Sequence, residues 1–90
     1  MSEYRVDYAP EAVKQLKKMD KATQKMILGW IQKNLVGCTD PRAHGKGLTA
    51  DKSGKWRYRI GDYRVLAVIH DEEIVIHVIR IGHRREVYRR

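Results

Sequence analysis

Hydrophobic and polar residues alternate at the start of the chain. Tyr4, Val6 and Tyr8 take one side and Arg5 and Asp7 the other, the period of a half-buried strand. Pro10 follows and suits the first turn of a helix, where a missing N–H goes unnoticed. Val13, Leu16 and Met19 then form a short apolar stripe, which predicts a first helix to about Met19. Asp20 can cap a second helix, on which Thr23, Met26, Ile27, Trp30, Ile31 and Leu35 share one face. Gly37 is a reasonable stop just past its end. Helices joined so closely predict an antiparallel hairpin.

From Gly37 to Gly54 the period disappears, and Asp40-Pro41 and Gly45-Lys46-Gly47 punctuate the chain. A connection this long is either functional, a plain basic loop, or a missed element, with Leu48 expected to anchor it to the core. Alternation returns at Lys55–Ile60, with Trp56, Tyr58 and Ile60 on one face and Lys55, Arg57 and Arg59 on the other. Tyr63–His70 and Ile74–Ile81 are apolar enough to be central strands. The order β-α-α-β-β-β predicts an α+β fold over residues 1–90, a single domain. A helical hairpin should pack on one face of a mainly antiparallel four-stranded sheet.

Composition narrows the classes. No apolar run approaches the ~18 residues that cross a bilayer, so no membrane-spanning segment is expected. The first residues lack a basic stretch followed by an apolar one, so no leader peptide is expected either. The lone Cys38 excludes an internal disulfide and fits a reducing, cytoplasmic setting, where it reads as a bystander thiol at the start of a loop. His44, His70, His77, His83 and Cys38 have no ligand-like spacing, so neither a metal nor another cofactor is expected, and His70 and His77 read as ordinary strand residues. The net charge of +8 points to a polyanionic partner, nucleic acid first, with an anionic membrane surface or an acidic protein as alternatives.

The two cation types fall differently. Lysines dominate the helices, where they read as a solvated face. All the arginines except Arg5 and Arg42 come from Arg57 onward. Arginine offers a planar fork that grips phosphate oxygens in pairs, whereas lysine is a flexible point charge. Only Gly61 and Asp62 separate Ile60 from Tyr63, which predicts a type II′ hairpin with Arg59 facing Arg64 and Tyr58 facing Val65. Opposed residues point to the same side, so Arg57, Arg59 and Arg64 should share a face while Trp56, Tyr58, Ile60, Tyr63 and Val65 pack beneath the helices. Like charges placed opposite one another destabilise a sheet, and an anion would relieve them. The last strand, running antiparallel, should return its far end beside Arg59 and Arg64. The following tract, with His83, Arg84 and Tyr88, would then close the same pocket.

The run Gly54-Lys55-Trp56-Arg57-Tyr58-Arg59-Ile60-Gly61-Asp62-Tyr63-Arg64-Val65-Leu66, followed by Ile81-Gly82-His83-Arg84-Arg85-Glu86-Val87-Tyr88, resembles the RelE/ParE superfamily of type II toxin–antitoxin toxins. The element order matches over nearly the whole chain. For RelE-like members the resemblance implies an mRNA interferase, a metal-independent endoribonuclease that cuts mRNA in the ribosomal A site by attack of the 2′-hydroxyl. Contacts to 16S rRNA and a cognate antitoxin as partner are implied as well. Carried onto this chain, the catalytic set is Arg57, Arg59, Arg64, Arg84 and Tyr88, with His83 where some relatives use a histidine. Two strand positions that are lysine in the best-known RelE toxins are Arg57 and Arg59 here. Arginine is a poor general base, so the proton acceptor stays open between Tyr88 and His83. Two alternatives stand beside this: a ParE-like toxin that inhibits DNA gyrase without cutting RNA, and a basic nucleic-acid-binding module without chemistry.

Overall fold

The computed structural model describes residues 2–47 and 54–83. Its elements run β1 (Arg5–Tyr8), α1 (Pro10–Lys17), α2 (Lys21–Asn34), β2 (Lys46–Gly47), β3 (Lys55–Ile60), β4 (Tyr63–His70) and β5 (Val75–His83). The sheet order is β1-β5-β4-β3-β2. The pair β1–β5 is parallel, and every other pair is antiparallel. The α+β architecture is as expected, but the sheet has five strands rather than four. The additional one, β2, is two residues long, too short to carry a period of its own. Leu48, expected to anchor this connection, lies outside the described residues.

The local signals act where the sequence places them. Pro10 opens α1 at its first turn. At the start of α2, Asp20 Oδ2 accepts the Thr23 backbone N–H at 3.2 Å, and its Oδ1 accepts the Thr23 hydroxyl at 2.7 Å. These bonds satisfy an orphan helical donor and hold the Asp20 carboxyl below its usual range. Gly37 takes φ +78° just after the helix, and its N–H donates to the Tyr4 carbonyl while Tyr4 N–H donates to the Cys38 carbonyl. The outer edge of the sheet beside β1 is thereby tied to the end of α2.

One face of the sheet is covered by the helices. Ile27 and Ile31 of α2, Leu35 at its C-cap, and Ala12 and Leu16 of α1 meet Tyr58, Val65, Ala67, Ile76, Val78 and Ile81 in a single core. The inward stripe of α1 is therefore carried by Ala12 and Leu16, with Val13 only half-buried, and Met26 of α2 is exposed. Beyond Val78 the short β1 no longer flanks β5. There Gln15 Oε1 accepts the Ile81 N–H at 2.7 Å, so α1 supplies the bond that a neighbouring strand would have made. No helix among the described residues is long and apolar enough to cross a membrane.

Candidate functional site

The β3–β4 hairpin sets the site. Gly61 has φ +59°, and Asp62 is not among the residues with positive φ, the pattern of a type II′ turn. The register places Ile60 opposite Tyr63, Arg59 opposite Arg64, Tyr58 opposite Val65 and Arg57 opposite Leu66. Tyr58 and Val65 belong to the helix-covered core, so Arg57, Arg59 and Arg64 stand on the other, open face. Arg64 Nη1 donates to the carbonyls of Gly61 and Tyr63 at 3.2 and 3.1 Å, which holds its guanidinium against the turn.

The strand arginines converge. A cleft of about 280 Å³ is lined by Gly45, Lys46, Arg57, Arg59 and Arg64. Lys46 was not singled out in the sequence, because the Gly45-Lys46-Gly47 punctuation reads as loop. Its position follows from β2, where Lys46 pairs with Arg57 and so shares that residue's face. Gly45 makes the approach possible. It has φ +78°, and a Cβ there would collide with the Arg57 carbonyl oxygen. A lysine between two glycines, next to a strand already rich in arginine, was the available clue.

The segment leading to Lys46 is clasped from three sides. Trp56 Nε1 donates to the His44 carbonyl at 2.6 Å, and the buried Tyr58 hydroxyl donates to the Pro41 carbonyl at 2.6 Å. Burial pushes the Tyr58 hydroxyl well above the usual phenol range, so it remains a donor. Arg42 binds Asp71 through both guanidinium arms at 3.0 Å and lies 5.9 Å from the centre of the Trp56 ring. Tyr4 donates its hydroxyl to the same Asp71 carboxylate at 2.8 Å. The hydrogen bonds from Arg42 and Tyr4 hold the Asp71 carboxyl below its usual range.

His83 does not join the arginines. Tyr63 faces His83 across β4–β5 while Arg64 faces Gly82, so the histidine takes the helix side of the sheet. Its ring meets Tyr63 edge to face at 5.8 Å. It lines a separate cavity of about 480 Å³ with Gln15, Lys18, Met19, Asp20 and Ile81. The end of β5 does return beside Arg59 and Arg64 as expected, but the residue it brings to their face is Gly82. Arg84 and Tyr88 lie outside the described residues. His70 and His77 are strand and strand-end residues of the open face, 6.3 Å apart.

Among the described residues, the cleft thus gathers three forked cations and one flexible one, with no carboxylate in its lining. Such a set suits an anion with several oxygens.

The chain is similar to known proteins in sequence and in fold. A family model described as the ParE toxin of the type II toxin–antitoxin system parDE matches residues 6–88. Toxin RelG of Mycobacterium tuberculosis is 37% identical over 51 residues, a match that spans 57% of this chain and 59% of RelG. Among solved structures, the toxin–antitoxin complex RelBE2 of Mycobacterium tuberculosis superposes with a TM-score of 0.82 at 27% identity, covering 96% of this chain and 97% of that one. A free-state mutant of the E. coli toxin RelE shares the fold, with a TM-score of 0.73 at 20% identity over 91% of this chain and 84% of its own. With its helical hairpin, its sheet and the strand motif that the resemblance rested on, the chain belongs to the ParE toxin family of type II toxin–antitoxin systems, within the RelE/ParE superfamily.

Proposed function

We propose that this toxin is a ribosome-dependent endoribonuclease that cuts mRNA in the A site. The observation that carries the reading is the convergence of Lys46, Arg57, Arg59 and Arg64 on one cleft. Attack of a ribose 2′-hydroxyl on the adjacent phosphorus closes a cyclic phosphate and expels the 5′-oxygen of the next nucleotide. Negative charge grows on the phosphorane oxygens and on that leaving oxygen. Cations fixed in place before the reaction stabilise this charge without reorganising, and losing one such donor typically costs about 10²–10³ in rate. Arg59 and Arg64 are assigned to the scissile phosphate, Arg57 and Lys46 to the adjoining oxygens, and Arg84 to the same charge.

Among the described residues, the cleft lining holds no carboxylate and no histidine that could take the 2′-hydroxyl proton. With His83 on the opposite face, Tyr88 becomes the preferred proton carrier of this chain. A site so poor in bases relies on the ribosome, with its 16S rRNA, to align the attacking hydroxyl. The partner that silences the toxin is a cognate antitoxin. RelBE2 and the archaeal RelE–RelB pair from Pyrococcus horikoshii were both solved as complexes, and a chain of charge +8 favours an acidic binder.

The test is mRNA cleavage on programmed ribosomes by wild type and Arg64→Ala. The expected result is cutting by wild type and a loss of at least about 10² in the variant, with its melting transition retained. A variant that cuts at near wild-type rate overturns the mechanism. The family model's parDE description favours a second reading, inhibition of DNA gyrase. Intact mRNA together with blocked supercoiling in a gyrase assay would establish that one instead.

A further inference from the structure

The open face of the sheet does not end at the cleft. Lys46 pairs with Arg57, Arg57 with Leu66, and Leu66 with Arg80, so a single row crosses four strands from β2 to β5. Opposed residues share a side, which puts Arg80 on the face of the arginine cleft. At a strand spacing of about 4.8 Å, the Arg80 backbone stands two spacings, about 10 Å, from that of Arg57. Leu66 between them is only 8% exposed. The row is therefore two cations at one end, an apolar floor, and a third cation beyond it.

A fold irregularity places Arg80 there. Ala67 pairs with Val78 and Leu66 with Arg80, so β5 carries one extra residue, Ile79, at this point. Continued without the bulge from Val78, the ladder would set Ile79 opposite Leu66 and turn Arg80 under the helices. The bulge instead returns Ile81 to the core, 1% exposed, and turns Arg80 outward. In the neighbouring row, Arg64 faces Gly82, which has no side chain to block the way from the cleft toward β5. Among the described strand residues of this face, Asp7 is the only acid, out on β1 opposite His77.

We infer that Arg80 is a second phosphate-binding residue: the cleft takes the reacting linkage, and Arg80 holds a neighbouring phosphate of the same RNA strand as it crosses β4 toward β5. This rests on the RNA-cleaving reading above and adds a positioning role remote from the reacting atoms. Arg80 should therefore govern how well RNA is held and leave the chemical step alone.

The test compares wild type with Arg80→Gln, which keeps much of the stem beside Leu66 and removes the charge, and with Arg80→Lys, which restores charge without the fork. Binding of a short single-stranded RNA, made uncleavable by 2′-O-methylation, is titrated across salt concentrations. Cleavage of ribosome-bound mRNA is measured at limiting and saturating toxin. Loss of one phosphate contact should lower the slope of log affinity against log salt by about 0.7 and weaken binding about tenfold in Arg80→Gln, with Arg80→Lys recovering the slope. Half-saturation should rise while the maximal rate stays within about threefold. A variant with unchanged affinity and salt slope overturns the inference while leaving the cleavage reading intact. So does a variant whose maximal rate collapses with binding preserved, because Arg80 would then act on the reacting phosphate itself. A wild-type protein that neither binds nor cuts RNA removes both.

Discussion

Arg59 and Arg64 are directly opposed across the β3–β4 hairpin, two guanidiniums on the same side of a two-residue turn. Their mutual repulsion is a cost the fold carries in every unliganded molecule. Arg64 is partly compensated by the turn carbonyls of Gly61 and Tyr63, which accept from it.

This opposition has a measurable signature. Replacing Arg59 with Thr, a good strand residue, should raise stability by about 0.2–1 kcal/mol, because a like-charge pair is removed and nothing buried is lost. The same variant should lose about 10²–10³ in cleavage rate. Denaturant titration and ribosomal cleavage, run on one preparation, read both effects. A less stable Arg59→Thr would show that the pair is not under repulsive load.

Lys46 and Gly45 can be separated by experiment. Gly45→Ala forces a side chain into a left-handed backbone and against the Arg57 carbonyl, which should cost about 1–3 kcal/mol and displace β2. Lys46→Ala, on an exposed position, should leave stability within about 0.5 kcal/mol of wild type. Both should cleave poorly, one through geometry and the other through charge. Thermal unfolding alongside the cleavage assay distinguishes them, and full activity in Lys46→Ala would remove the lysine from the site.

The clasp at Asp71 predicts a pH effect of known sign. The folded carboxyl sits below its usual range, so the unfolded chain takes up a proton first as pH falls. Stability contributed by the clasp is thus present at neutral pH and is lost on acidification below the ordinary aspartate range. Both partners are largely exposed, with side chains 41% and 55% accessible, so the contribution should stay under about 1 kcal/mol. Urea titrations at about pH 6 and about pH 3 should show a smaller acid loss in Asp71→Asn than in wild type. Equal losses in the two proteins would mean the clasp contributes nothing.

How much of this could be read from the chain depends on the length of the signal. The type II′ turn at Gly61-Asp62 is a two-residue cue that sets the parity of both flanking strands, so the shared face of Arg57, Arg59 and Arg64 was legible. A capping aspartate and an opening proline likewise marked α1 and α2. Lys46 was not legible, because a two-residue strand has no period and exists only through its pairing with β3. His83 was misplaced for a different reason. Returning β5 beside Arg59 and Arg64 is correct, but parity along β5 hands the open face to Gly82 and gives His83 to the helix side. The unequal spacing of the buried Val78 and Ile81 was the trace of the bulge, and strict alternation conceals it.

The parallel edge has a consequence for the birth of the molecule. β1 is made before the helices and the other strands, yet its partner in the sheet is β5, with Arg5 beside Val75 and Tyr8 beside Val78. α1 waits in the same way, since Gln15 bonds to Ile81. The arginine hairpin is built from near neighbours and can close early, but contacts between distant parts of a chain form last. The arginine hairpin of a growing chain can therefore form before the scaffold that holds it rigid, and the cleft gains its fixed geometry only once β5 has been made.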